Sequence, residues 1–287
     1  MTDRPLISVI MPAYNNEKTI GTAIRSMLGQ TYRNLEIIVV NDSSTDGTRA
    51  VAEELAKEDA RIRVVDSPAD PDRFDAKLGR NINAGYSARN TGFAHVRGEL
   101  VTFQDADDAS LANRIETQYE LLKKHDAVHV TLDWIKYDEK YLGRGLDVER
   151  YKRENPDIMT DPEDLYALSQ KTKGVVAKIS PALNRIVPFS IKRRRLINKF
   201  FFGSLASYPA SGNTPLFRRE IMEKVKFRKL GDRVWPTFMG RGADRDFDFQ
   251  VAEAFRRSYV FAIPLYMWRQ KNENEKYAEK IEKYIID

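Results

Sequence analysis

Cysteine is absent from this chain, which excludes disulfides and every thiolate-bound metal or cluster. Histidine is nearly absent. His95, His125 and His129 are the whole supply, too few for a zinc centre built from convergent nitrogen ligands. Any metal used here is therefore expected to be hard and oxygen-bound. Long apolar runs are missing as well: the longest, Tyr259 to Trp268, covers about half of the roughly 20 residues a spanning helix needs and contains Pro264. The opening Met1-Thr2-Asp3-Arg4-Pro5 lacks the basic, apolar and small-residue regions of a signal peptide, so the expected location is cytoplasmic. No internal repeat, low-complexity tract, Gly-x-Gly-x-x-Gly fingerprint or P-loop occurs, which argues against a dinucleotide enzyme or a P-loop NTPase.

What is present reads as an ordinary folded protein. Apolar residues make up 42% and charged residues 31%, far from the composition of disordered chains. At 287 residues the chain is long enough for one elaborated α/β domain or two small ones. A formal charge of +5 suits an anionic ligand or an anionic membrane surface without implying nucleic acid.

From Leu6 to Leu132, short apolar runs alternate with amphipathic stretches. Leu6–Met11 precedes a helix over Glu17–Gln30; Leu35–Val40 precedes one over Thr45–Glu58; Ile62–Asp66 is followed by a loop and a helix over Tyr86–Val96. Leu100–Gln104 then leads into Leu111–Lys124, and Ala127–Leu132 closes the series. β-branched runs without polar alternation are the mark of strands buried on both faces, so the expected fold class is α/β: a Rossmann-like, mostly parallel sheet flanked by helices. Beyond about Lys136 the alternation fades. It returns as a strand-to-helix unit at Pro215–Val225 and an amphipathic helix over Asp244–Arg257. The expected organisation is a ligand-binding half, 1–135, and a second half, 136–287, within one continuous domain.

In an open parallel sheet, ligands bind beyond the carboxyl ends of the strands. Three such ends are unusual: Pro12-Ala13-Tyr14-Asn15, then Asn41-Asp42-Ser43-Ser44-Thr45-Asp46-Gly47, then Asp105-Ala106-Asp107-Asp108. Asn and Asp also cap helices and make turns, and that plain reading is the better one for the second cluster taken alone. The third is different. Three carboxylates in four residues repel one another, and a cap needs only one, so the surplus charge calls for a divalent cation, Mn²⁺ or Mg²⁺, and hence a phosphate-bearing ligand. Arg89, on the helix feeding the same edge, fits a phosphate or a base edge, although a surface ion pair accounts for it equally well.

Taken together, Val9-Ile10-Met11-Pro12-Ala13-Tyr14-Asn15, Val40 to Thr48, Ala88-Arg89-Asn90-Thr91-Gly92 and Phe103-Gln104-Asp105-Ala106-Asp107-Asp108 resemble family 2 glycosyltransferases, which have the A-type glycosyltransferase fold. The likeness covers about the first 130 residues, with the four motifs in order. It implies that Pro12, Ala13, Tyr14, Asn15 and Asp42 hold a nucleoside, often uridine, and that Arg89 contacts base or phosphate. Asp105 and Asp107 would form the Asp-x-Asp motif, Asp105 near the ribose and Asp107 on the metal. Further along, Asp244 matches the family's catalytic aspartate, while Ala243 replaces the usual preceding glutamate, leaving Asp246 and Asp248 as competitors for the role of base. The activity so implied is inverting, metal-dependent transfer of a sugar from a nucleoside-diphosphate donor to a hydroxyl of a saccharide or lipid-linked glycan, of the kind used in bacterial surface polysaccharide synthesis.

Two further stretches bear on the acceptor. Lys192 to Phe202 combines five cations with phenylalanines, which suits peripheral contact with an anionic membrane or, equally, a solvated face packed through its rings. Ser207–Thr214, with Trp235 and Trp268, lies where the resemblance puts the acceptor; each tryptophan also fits a core position. The competing readings are a nucleotide-sugar-binding module of weak catalytic power, suggested by Ala243, and a phosphohydrolase with an aspartate nucleophile. The latter usually has Thr or Val and Gly where this chain has Asp108-Ala109-Ser110.

Overall fold

The computed structural model describes residues 4–70, 74–75, 80–81, 85–179, 186–187, 191, 194–197, 201, 208–229, 232–235, 242–269 and 281–287. Its main elements are β1 (Ile7–Ala13), α1 (Ile20–Leu28), β2 (Leu35–Asn41), α2 (Thr48–Glu58), β3 (Ile62–Asp66), α3 (Tyr86–Phe93), β4 (Leu100–Phe103), β5 (Ala109–Ser110), α4 (Arg114–Lys124), β6 (His129–Lys136), α5 (Val148–Glu154), β7 (Met159–Thr160), α6 (Pro162–Thr172), β8 (Leu216–Arg218), α7 (Ala243–Phe255) and β9 (Ser258–Trp268). The strands form one nine-stranded sheet in the order β7-β9-β6-β8-β4-β1-β2-β3, with β5 paired to β9. Strands β3, β2, β1 and β4 run parallel, as do β6 and β9, and β8 is wedged antiparallel between β4 and β6. This is the mostly parallel, helix-flanked α/β sheet expected, and both halves of the chain contribute strands to it.

The undivided apolar runs are explained by two-sided burial. In β1, Ile7, Val9 and Met11 join the packing around α1, α2 and α4, while Ile10 faces the opposite side with Ala88, Phe93, Phe103, Phe217 and Phe247. On that second face Phe227 stacks on Phe247 at 4.5 Å, and Phe93 and Phe103 close around them. Rings in this contact range add about 0.5–1.5 kcal/mol per pair beyond the area they bury, which fixes the approach of α7 to the sheet. A third cluster seats Trp235 against Phe249 and Leu165.

The second half holds elements with weak periodicity. Helix α6 begins Asp161-Pro162, with the Asp161 carboxylate accepting from the Asp164 amide at 2.9 Å; a cap plus proline in the first turn is a sound helix start. Of the loop Ser67–Asn83, the described part includes a two-residue ladder, Phe74–Asp75 with Arg80–Asn81; residues 71–73, 76–79 and 82–83 lie outside the described residues. Among the described residues no helix is long and apolar enough to cross a membrane.

Candidate active site

The carboxyl ends of β1, β2 and β4 open into a cleft of about 580 Å³ lined by Pro12, Ala13, Tyr14, Asp42, Arg89, Asp105, Asp107, Asp108 and Asp244. The far wall adds Trp134, the loop Ala210 to Asn213, Gly242 and Trp268. Expected site residues from five separate stretches thus meet at one sheet edge. Asn15 is the exception: its side chain accepts from the Thr45 amide at 2.8 Å and binds the neighbouring loop, and Asn16 is the residue on the lining. Asp42 is buried, its amide bonded to the Ala13 carbonyl at 2.8 Å, which ties the ends of β1 and β2 together. Asp46, by contrast, accepts from the Thr48 amide and hydroxyl and the Glu17 amide, a turn role just ahead of α2.

Arg89 sits at the centre, its guanidinium over the faces of Phe103 and Phe227. It meets Asp105 at 2.6 Å and Asp244 at 3.5 Å. Burial acts to lower its pKa, but the charges of Asp244 and Asp105 outweigh this and hold it above the ordinary value. The Arg89 head also explains Gly85, whose φ is +70° and where a Cβ would come within 2.7 Å of the guanidinium.

The acidic cluster is held by both halves of the chain. Asp105 accepts from Arg89 on one oxygen and from the Asn213 amide on the other, at 2.8 Å. Asp108 is buried and accepts from the Tyr266 hydroxyl at 2.8 Å and the Arg269 amide at 2.7 Å. Burial first, then the charges of Asp107 and Asp105, push the Asp108 carboxyl up to about 8. Asp107 opens to the cleft, yet it is recessed enough that crowding by protein, followed by the charge of Asp105, raises it to about 6.

These residues fit a divalent metal. One carboxylate oxygen from each of Asp105, Asp107 and Asp108 falls within 4.8 Å of the others. Asp105 and Asp108 are oriented by neutral or cationic donors, while among the described residues no side chain is hydrogen-bonded to the Asp107 carboxylate, which is left facing the cleft. Hard oxygen donors with one carboxylate exposed, beside room for phosphates and waters, match the way Mg²⁺ is held.

At the opposite wall, α7 presents three aspartates with three different fates. Asp246 is fully buried and accepts from the Val234 and Trp235 amides. Asp248 is fully buried beside His129 Nε2 at 3.1 Å, and His129 in turn meets Ser258. Only Asp244 of the three lines the cleft. It makes no side-chain capping bond: the helix begins at Gly242, whose φ of +93° favours glycine. Burial, then the charge of Asp105, raises the Asp244 carboxyl, against the pull of Arg89 and Arg233. Ala243 is buried against Phe247 and its neighbours.

Of the two tryptophans expected on the acceptor side, Trp268 is on the lining, whereas Trp235 is a core residue that donates its indole N–H to the Ser169 carbonyl. Trp134, which was not foreseen, packs edge to face on Trp268 at 4.9 Å and also lines the cleft. Tyr266 and Arg114 support the acids from behind, the buried Arg114 donating to the Phe103 carbonyl, at the end of the strand that carries them. Nothing local in sequence distinguishes such residues. Asn213 reaches the cleft because β8 runs against its neighbours, so the residues that precede this strand meet the ends of the parallel ones.

The fold and site define a doubly wound sheet with a carboxylate-lined cleft at its carboxyl edge. The family model described as "Glycosyl transferase family 2" matches residues 8–201, and the chain belongs to that family. It is 34% identical over 134 residues to "Glycosyltransferase GlyG" of Streptococcus pneumoniae serotype 4 (strain ATCC BAA-334 / TIGR4), a match covering 47% of this chain and 40% of the relative. It is 35% identical over 124 residues to the "UDP-Glc:alpha-D-GlcNAc-diphosphoundecaprenol beta-1,3-glucosyltransferase WfgD" of Escherichia coli, covering 43% of this chain and 44% of that one. The chain thus matches less than half the length of either relative. Among solved structures, S. aureus TarS 1–349 in complex with UDP-GlcNAc superposes with a TM-score of 0.55 at 17% identity, over 94% of this chain and 60% of that one, a likeness of fold.

Proposed function

We propose that this protein is an inverting glycosyltransferase that moves a sugar from a nucleoside-diphosphate donor, UDP-linked, to a hydroxyl of a saccharide or lipid-linked glycan in surface polysaccharide synthesis. The observation that carries the reading is the meeting, across one cleft, of Asp107 with its neighbouring acids and the carboxylate of Asp244, with Arg89 between them. The UDP-sugar in the WfgD name and in the TarS complex supports the donor class, and the WfgD name supports a lipid-linked acceptor.

In this reading Pro12 to Tyr14 and Asp42 seat the nucleoside, Asp105 lies by the ribose, and Asp107 with Asp105 holds Mn²⁺ or Mg²⁺. When bound, that ion supplies charge stabilisation to the departing diphosphate. Asp244 takes the proton of the acceptor hydroxyl while the acceptor oxygen bonds to the anomeric carbon; the bond to the diphosphate oxygen breaks and the nucleotide leaves with the electron pair. A carboxylate whose pKa is raised by burial is a better base at neutral pH than a solvated one. Arg89 limits that rise.

The test is release of nucleoside diphosphate from a panel of nucleotide sugars with and without Mn²⁺ or Mg²⁺. Metal-stimulated release with at least one UDP-sugar is expected. Donor binding with no turnover of any sugar would leave a nucleotide-sugar-binding module, the reading that the replacement of the family glutamate by Ala243 favours. Phosphate release from simple phosphoesters, with no sugar donor used, would point to a phosphohydrolase.

A further inference from the structure

The turn Ala210 to Asn213 lies on the cleft wall and touches both the acidic cluster and the start of α7. At its end the Asn213 side-chain amide donates to Asp105 Oδ2 at 2.8 Å and to the Tyr266 hydroxyl at 3.2 Å. One residue earlier, Gly212 rests on α7. A Cβ built there would come within 2.9 Å of Asp248 Oδ2, 3.3 Å of Asp244 Cβ and 3.5 Å of the Arg245 amide nitrogen. The backbone does not require glycine here, since Gly212 lies outside the left-handed region, so the closeness of α7 is what leaves no room for a side chain. Both contact surfaces are held firmly. Asp248 is fully buried, its other oxygen beside His129 Nε2 at 3.1 Å and that ring bound to Ser258 at 2.6 Å. Burial raises the Asp248 carboxyl well above the carboxylate range, so the glycine packs on a neutral acid. The turn is pinned from the other direction: the Ser211 amide donates to the Leu132 carbonyl at 3.1 Å, and Gln118 of α4 donates to the Thr214 carbonyl at 2.6 Å.

We infer that this turn is a spacer that fixes the separation between Asp105 and Asp244, with Gly212 as the positioning residue on the side of Asp244 and Asn213 on the side of Asp105. Arg89 links the same two carboxylates by charge, at 2.6 and 3.5 Å, and draws them together. The turn is the steric stop that sets how close they come. The inference takes Asp244 as the base and Asp105 as a donor contact from the proposed function. Transfer then depends on the spacing, because reacting atoms must lie about 3–3.5 Å apart and a displacement of about 1 Å costs on the order of 10²-fold in rate.

Gly212→Ala in the whole chain tests it, alone and together with Asp248→Ala. With Asp248 present, the added methyl must move the turn or α7 by about 0.5 Å or more to reach ordinary contact. The kcat for turnover of a UDP-sugar is then expected to fall about 10- to 100-fold, while donor affinity by calorimetry stays within about twofold of wild type. Measured against Asp248→Ala alone, the double variant should lose less than about threefold, because the atom that the methyl meets most closely is gone. Crystal structures of the same variants give the distance between Asp105 and Asp244 without any turnover: longer in Gly212→Ala, restored in the double variant. If the wild type turns over no sugar donor, the proposed function fails, and this distance still decides the spacer. The spacer is overturned if Gly212→Ala keeps the kcat of an active wild type, if donor affinity falls as much as kcat, if the methyl costs the same with and without Asp248, or if the distance does not change.

Discussion

The two sides of the cleft are built in opposite ways. On the β1-β2-β4 side, Arg89 of α3 apart, functional groups sit at a strand end or within five residues beyond it, and each is placed by its own local sequence. On the other side, Asn213, Tyr266 and Arg269 come from the turn before the reversed strand and the end of β9, more than 100 residues along the chain from the acids they support, and Asp244 faces Arg89 from a helix start. The first side concentrates negative charge, while the second supplies mostly neutral and cationic donors that make this charge tolerable. Crowded acids are useful only when something restrains them, and here the restraint comes from the distant half of the chain.

If the acid-rich side holds the donor, Asp107→Ala should produce the largest effect, a loss of metal-stimulated turnover of about 10³-fold or more together with weakened donor binding. Parental turnover in this variant would remove the metal assignment. If the other side performs the chemistry, Asp244→Asn should cut transfer by about 10² to 10⁴ while calorimetric donor affinity stays near wild type; an equal loss of donor affinity would erase the division between the two sides. Tyr266→Phe crosses the boundary, removing the hydroxyl donated to Asp108. It is expected to weaken Mn²⁺ binding about 10- to 100-fold, read by isothermal titration, with little change in the folded structure.

The smallest effect concerns stability. Burial lowers His129 to about 3 and raises its partner Asp248 well above the carboxylate range. Between about pH 4 and 6.5 the unfolded pair holds one proton, on histidine, and the folded pair also holds one, on aspartate, so the pair adds no pH dependence there. Above about 6.5 the unfolded pair is empty while the folded pair keeps its proton, and stability falls by up to about 1.4 kcal/mol per pH unit. Thermal unfolding between pH 6.5 and 8 should therefore show a steeper decline in wild type than in Asp248→Asn, whose amide does not titrate. Equal slopes would mean that the folded pair has lost its proton over this range and stands as neutral histidine beside an aspartate anion, since an ion pair holds the same single proton as the neutral pair.

The sequence made the first side readable because its signals are local. Continuous β-branched runs forecast β1, β2 and β4, and strand ends rich in Asp located the cleft, with Asp42, Arg89, Asp105, Asp107 and Asp244 all on its lining. Boundaries were less secure: β6 runs on to Lys136 through Asp133, which in sequence reads as a break and concealed Trp134. The second side depends on tertiary contacts. Strand β8 is three residues long, too short for a period, and Tyr266 reads as one more ring in an apolar run. Helix α6 could have been found from Asp161-Pro162, whose capping chemistry is plain.

The antiparallel wedge β8 sets the span of the cleft. With neighbouring strands about 4.8 Å apart, its insertion moves the carboxyl ends of β4 and β6 to about twice that spacing. The gap so created is roofed by the short turn Ala210-Ser211-Gly212-Asn213, which is outside the β-ladders. Within that turn Asn213 is committed to Asp105 and a side chain at Gly212 would come within 2.9 Å of the Asp248 carboxylate, so Ala210 is the position where an exchange can reshape what enters between Asp105 and Trp134 while every strand keeps its partners.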